Sequence, residues 1–84
     1  MNSNKQNLIN KIKYRSQYRG TKEMDIYVSS FVDNIIKNLN FNDLENLNDL
    51  VNLNDEELIE ISKGNLNKNI DKKIINLLIK FSKK

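Results

Sequence analysis

The sequence predicts an all-α protein, a compact bundle of about five short helices. Three observations carry that expectation. Proline is absent and glycine occurs only at Gly20 and Gly64, so the backbone has few obligatory breaks. Apolar residues recur at spacings of three and four, the period of a helix face. Strict apolar–polar alternation over five or more residues, the mark of a half-buried strand, does not occur.

With so little proline and glycine, Asn, Asp, Ser and Thr must set most helix ends by capping. The first helix is expected from about Asn4 to Tyr18, with Leu8, Ile9 and Ile12 inward. Gly20 is expected to stop it from the left-handed C′ position. A second helix should begin near Thr21 and reach about Asn38, with Met24, Tyr27, Val28, Phe31, Val32, Ile35 and Leu39 on its apolar stripe. The third follows Asn40 as N-cap and turns Leu44, Leu47, Leu50 and Val51 inward. A fourth begins at Asn54, where Glu57 three residues on completes an Asn form of the capping box. Leu58 and Ile61 face in, and Gly64 ends it. The last covers roughly Ile70 to Ser82, with Ile70, Ile74, Leu77, Leu78 and Phe81 on one face.

The 84 residues read as a single domain, 1–84, without linkers or repeats. A chain of that length buries only about 60% of the surface its unfolded form exposes, which leaves little room for a large reaction cavity. Histidine and cysteine are both absent. That removes imidazole bases, thiolate nucleophiles, disulfides and nearly every transition-metal site. Remaining carboxylates and lysines need a pocket that shifts their pKa values before they do acid–base work. The composition therefore points away from an enzyme, with no catalytic, cofactor-binding or metal-binding residues expected. No apolar run approaches the roughly 18 residues of a membrane span, and no signal-peptide core opens the chain. The expected location is the cytoplasm, specifically a bacterial cytosol.

The segment Tyr14–Asp25, YRSQYRGTKEMD, is the most informative. The chain has 14 basic residues, of which only Arg15 and Arg19 are arginines. In so strong a lysine background an arginine suggests a geometric need: a planar fork that bonds carboxylates or phosphates bidentately or stacks on rings. Glu23 either pairs with Arg19 at i, i+4, if one helix runs through, or sits in the first turn of the next helix, where its charge suits the dipole. Tyr14, Tyr18 and Tyr27 either line an interface or pack half-buried against neighbouring helices. Tyr27 falls on the apolar stripe and reads as core.

This segment resembles the succinate dehydrogenase FAD assembly factors, or flavinators, whose hallmark is RGxxE, often extended to RGxxExD. Here the hallmark falls on Arg19, Gly20, Glu23 and Asp25, after a YRS lead-in at Tyr14 to Ser16. Phe31 stands where the family has an aromatic, and Leu50 and Val51 at its double-leucine position. Asp55 with Leu58 matches D-x-x-L, and Gly64 the glycine closing that region. The resemblance covers about residues 14–64. Ile61 replaces a usual Trp, Tyr18 a frequent basic residue and Thr21 a frequent Met.

The resemblance implies a five-helix fold and a non-enzymatic assembly factor. Such a factor binds the flavoprotein subunit of succinate dehydrogenase, and in some bacteria of fumarate reductase, and promotes its covalent bond to FAD. The residues themselves, without a glycine-rich phosphate loop, a concentrated basic stripe or a long apolar run, lead to the further expectations of no cofactor held by the chain itself, no nucleic acid partner, no membrane insertion and a monomer. The expected partner-binding residues are Arg19, Gly20, Glu23 and Asp25, with Arg15 and Tyr18. Arg19 and Glu23 should lie open to solvent, while Asp25 either supports that patch or braces it internally. Two rival readings are a small helical nucleic-acid-binding domain and a generic helical adaptor. The acidic stretch from Asp43 to Glu60 would repel a phosphate backbone, and steep salt dependence would mark the nucleic-acid reading.

Overall fold

A computed structural model describes residues 2–65 and 69–83, with side chains from Asn4 onward. Among them the fold is all-α: α1 (Asn2–Gln17), α2 (Lys22–Ile35), α3 (Phe41–Val51), α4 (Asp55–Ser62) and α5 (Lys72–Ser82), with no strands. A short 3₁₀ turn, Ile36–Asn38, follows α2.

The helix starts follow the capping chemistry. Thr21 Oγ1 accepts the Met24 N–H at 3.2 Å and Asn40 Oδ1 the Asp43 N–H at 2.8 Å. Each bond satisfies one of the four donors that a helix N-terminus leaves unpaired. At α4 the box is complete, with Asn54 Oδ1 on the Glu57 N–H at 2.8 Å and Glu57 Oε1 on the Asn54 N–H at 3.2 Å. Gly64 (φ +87°) ends α4 in a Schellman motif. Its N–H reaches the Ile61 carbonyl, and the Asn65 N–H reaches that of Glu60, both at 2.9 Å.

Four boundaries differ from expectation: α1 begins at Asn2 and not near Asn4, α2 gives way to the 3₁₀ turn after Ile35 and does not continue to Asn38, and the start of α5 and the end of α1 also move. Helix α5 begins at Lys72 and not at Ile70, because the Asp71 carboxylate accepts the Lys73 N–H at 3.1 Å and fixes the cap there. Ile70 then precedes the cap, in the position from which a hydrophobic staple reaches the fourth helical residue, Ile75. At the other end of the chain α1 stops at Gln17, so Gly20 lies one residue beyond the C′ site. Its φ is nonetheless +116°, a conformation that suits glycine.

Helix α1 packs on α2 and α3, α4 packs on α5, and α5 also touches α3. The core joins Ile12 of α1, Phe31 and Val32 of α2, Leu44, Leu47, Leu50 and Val51 of α3, Leu58 and Ile61 of α4, and Ile74 and Leu78 of α5. Ile61, at the position where the resembling family has Trp, is buried, so this is a packing position in the present chain. Ile36, the first residue of the 3₁₀ turn, lies one helical turn past Val32 and joins the core with it. Phe81 of α5 lies 5.5 Å from Phe31 and 6.1 Å from Tyr27, measured between ring centroids. Those separations suit tilted ring pairs. Tyr27, partly buried against the core, also shares a hydroxyl–hydroxyl hydrogen bond with Ser82.

Candidate functional site

Residues 18–21 form the turn between α1 and α2, and the residues singled out by sequence divide there into two sets. Arg15 in the last turn of α1, Tyr18, Gly20 and Glu23 in the first turn of α2 are exposed. Arg19 and Asp25 point inward.

The expectation that Arg19 lies open to solvent is corrected by the geometry. Its side chain is only 8% exposed and crosses to the turn between α3 and α4. Nε donates to Asp55 Oδ1 at 3.0 Å, Nη1 to the Val51 carbonyl at 2.5 Å, and Nη2 to the Leu53 carbonyl. The reason lies in how α3 ends. Its final carbonyls have no intrahelical donor, and its last turn carries no basic residue of its own to meet the negative end of the dipole. Arg19 supplies that cation from another helix. One planar fork serves a carboxylate and two carbonyls, and a lysine ammonium cannot reproduce that geometry. The geometric need signalled by an arginine among lysines is real, and it is internal.

Asp25 braces the turn, the second of its two expected roles. Its Oδ1 accepts the backbone N–H of Arg19 at 2.5 Å, six residues back. This bond takes the N–H that would have reached the Arg15 carbonyl had α1 run on far enough to place Gly20 at C′. The i, i+4 pair between Arg19 and Glu23 does not form, because the helix breaks between them. Glu23 sits instead at the N-terminus of α2, and its carboxylate has no partner among the described residues.

The exposed set has a mixed chemistry. Tyr14 and Tyr18 are 65% and 69% exposed, with ring centroids 4.8 Å apart. Ile26, one turn beyond Glu23, is 56% exposed. Sequence periodicity passed over Ile26, since it falls outside the apolar stripe of α2; its signal was that very misplacement. A β-branched apolar residue stands on the solvent face beside an acidic one. A beta carbon added to Gly20 would meet no atom within 4 Å, so the turn presents bare backbone outward and is not packed from that side.

Elsewhere, a concavity of about 610 Å³ opens between α1 and α3, with Asn4, Asn7, Lys11, Phe41 and Asp49 among its lining residues and none from the motif. Among the described residues no cluster of three or more His, Cys, Asp or Glu is placed to hold a metal ion. No helix among them is long and apolar enough to cross a membrane.

Fold and site together define a small all-helical protein whose distinctive surface is a turn fastened from within. The chain belongs to the family described as the flavinator of succinate dehydrogenase, which matches residues 10–82. By that membership it is an assembly factor for succinate dehydrogenase flavinylation. No curated protein and no solved structure matches the chain significantly.

Proposed function

We propose that the chain binds the flavoprotein subunit of succinate dehydrogenase through the face formed by Tyr14, Tyr18, Gly20, Glu23 and Ile26, with Arg15 at its edge. Binding there promotes the covalent attachment of FAD to that subunit. The observation that carries this reading is the combination of family membership with apolar exposure at the motif. Tyrosine and isoleucine side chains held in water are stabilised when a partner covers them, and aromatic anchors dominate protein interfaces. Gly20 lets partner backbone approach closely, and the free Glu23 carboxylate offers a charged contact for a basic or amide group.

The chain contributes no bond chemistry in this reading and holds no cofactor of its own. With neither histidine nor cysteine it lacks the usual nucleophiles and bases. Docking instead favours the arrangement of the flavoprotein in which the partner's own groups react with FAD, a shift of population that requires tighter binding to that arrangement. The factor acts as a monomer in the cytoplasm, and a fumarate reductase flavoprotein is a second partner of the same chemical kind.

The experiment is co-expression of the flavoprotein subunit with limiting amounts of wild type or Glu23→Ala, scored by flavin fluorescence of the subunit in a denaturing gel. Glu23 is exposed and has no partner among the described residues, so its removal is expected to spare the helical circular-dichroism signal and to reduce covalent flavin. Full flavinylation with Glu23→Ala and with Ile26→Asp at limiting factor would refute the docking face.

A further inference from the structure

We infer that Arg19, Asp25 and Asp55 are positioning residues of the docking face, and that the partner touches the turn they hold and not the Arg19 guanidinium. The inference rests on the docking reading above and divides the motif into an inner and an outer half. Arg19 and Asp25 fasten the turn from within, while Gly20 and Glu23 present its outer surface.

Three observations lead to this division. First, each nitrogen of the guanidinium is already bonded within its own chain. Its Nε, Nη1 and Nη2 donate to Asp55, Val51 and Leu53, and the side chain is 8% exposed. A partner carboxylate could capture the fork only by displacing these acceptors, which would return two carbonyls and a carboxylate to an unpaired state. Second, Arg19 is held at both ends. Its backbone N–H is fixed by Asp25 of α2 and its side chain by the end of α3 and the start of α4. One residue thereby sets where the chain passes between α1 and α2 relative to three helices. Third, the outer side of the turn is open: Gly20 is exposed, and beyond its chain neighbours no atom lies within 4 Å of the place its beta carbon would take. Nothing packs on that side to hold the turn, and the bonds of Arg19 tie it from the inner side to α2, α3 and α4.

Asp55 is therefore tied to docking although it lies 36 residues from Arg19 in sequence. The separate motif pieces RGxxExD and D-x-x-L form one hydrogen-bonded unit in space.

The test is the dissociation constant for the purified flavoprotein subunit of succinate dehydrogenase. It is measured at a temperature where circular dichroism shows each variant fully folded, so that loss of global stability does not register. Asp55→Ala and Arg19→Lys are each expected to weaken binding about tenfold, the scale of a lost charge-assisted hydrogen bond. Asp55→Asn keeps an Oδ1 acceptor for Nε–H and is expected to recover most of the loss. The double variant Arg19→Lys/Asp55→Ala should bind little worse than either single one, because both cut the same link. Backbone amide resonances of Gly20 and Thr21 should move together in both single variants and much less in Asp55→Asn. Wild-type affinity in fully folded Asp55→Ala and Arg19→Lys overturns the inference while leaving the docking reading intact. A loss in Asp55→Asn as large as in Asp55→Ala also overturns it, since the carboxylate charge would then be the contact. Failure of wild type to bind the subunit overturns the docking reading and this inference with it.

Discussion

Lys73 Nζ lies 2.8 Å from Asp43 Oδ2 and ties the first turn of α5 to the first turn of α3. The pair is asymmetric, since the Asp43 side chain is 8% exposed and that of Lys73 is 59% exposed. Asp43 also sits where a carboxylate favours a helix N-terminus. Lys73→Ala is therefore expected to cost only about 0.5–1 kcal/mol, as water replaces much of the contact. Asp43→Ala should cost more, about 1–2 kcal/mol, through loss of both the ion pair and the dipole interaction. Urea denaturation midpoints at constant slope would measure the difference.

Arg19 carries a larger share of stability than an exposed contact residue would. Arg19→Ala removes three side-chain hydrogen bonds and leaves the end of α3 without its cation, an expected cost of about 2–3 kcal/mol. In a domain of this size that corresponds to a fall of about 10–20 °C in Tm, readable by thermal circular dichroism. A Tm within about 2 °C of wild type would mean the bonds to Val51, Leu53 and Asp55 contribute little net energy.

Gly20 separates strain from bulk. At φ +116°, any L side chain is strained whatever the space, so Gly20→Ala should cost about 1–2 kcal/mol although no atom obstructs it. Gly20→Arg should show nearly the same Tm, because its side chain enters open space. Its covalent flavin yield on the partner should fall well below that of Gly20→Ala, because the added bulk meets the partner. Equal yields would place the partner away from this turn.

Ile61 is a purely internal position. Ile61→Ala is expected to cost about 2–4 kcal/mol by leaving a cavity between α4 and the rest of the core. Ile61→Trp, the residue usual in the resembling family, should cost about 1–3 kcal/mol here through overpacking. Neither should change affinity for the flavoprotein subunit under conditions where the variant is folded. Chemical denaturation and binding measured side by side would check both halves.

What could be read from the sequence was local. Thr21, Asn40 and Asn54 announce their helices because a cap bonds a backbone N–H three residues away, and no other element takes part. The stripes of α2 and α3 were legible for the same reason, as periodicity along one segment. Tertiary effects were not. Asp43 is buried and paired with Lys73 from a helix thirty residues on, and Ser16 is buried with its hydroxyl turned onto the Lys13 carbonyl. Arg19 shows the boundary most clearly. Its rarity among lysines revealed that a planar fork was required, but its acceptors lie 32–36 residues away. No spacing rule within residues 14–25 could tell an internal carbonyl from a partner carboxylate.

The placement of the aromatic rings gives the chain a built-in optical label. It contains no tryptophan, and of its three tyrosines two stand at the motif turn while Tyr27 rests against Phe81. In any mixture containing this chain, indole emission must originate in the other component. Phenol emission, by contrast, reports chiefly on the Tyr14–Tyr18 pair, so quenching by a neighbouring isoalloxazine would signal how near that pair comes to the cofactor.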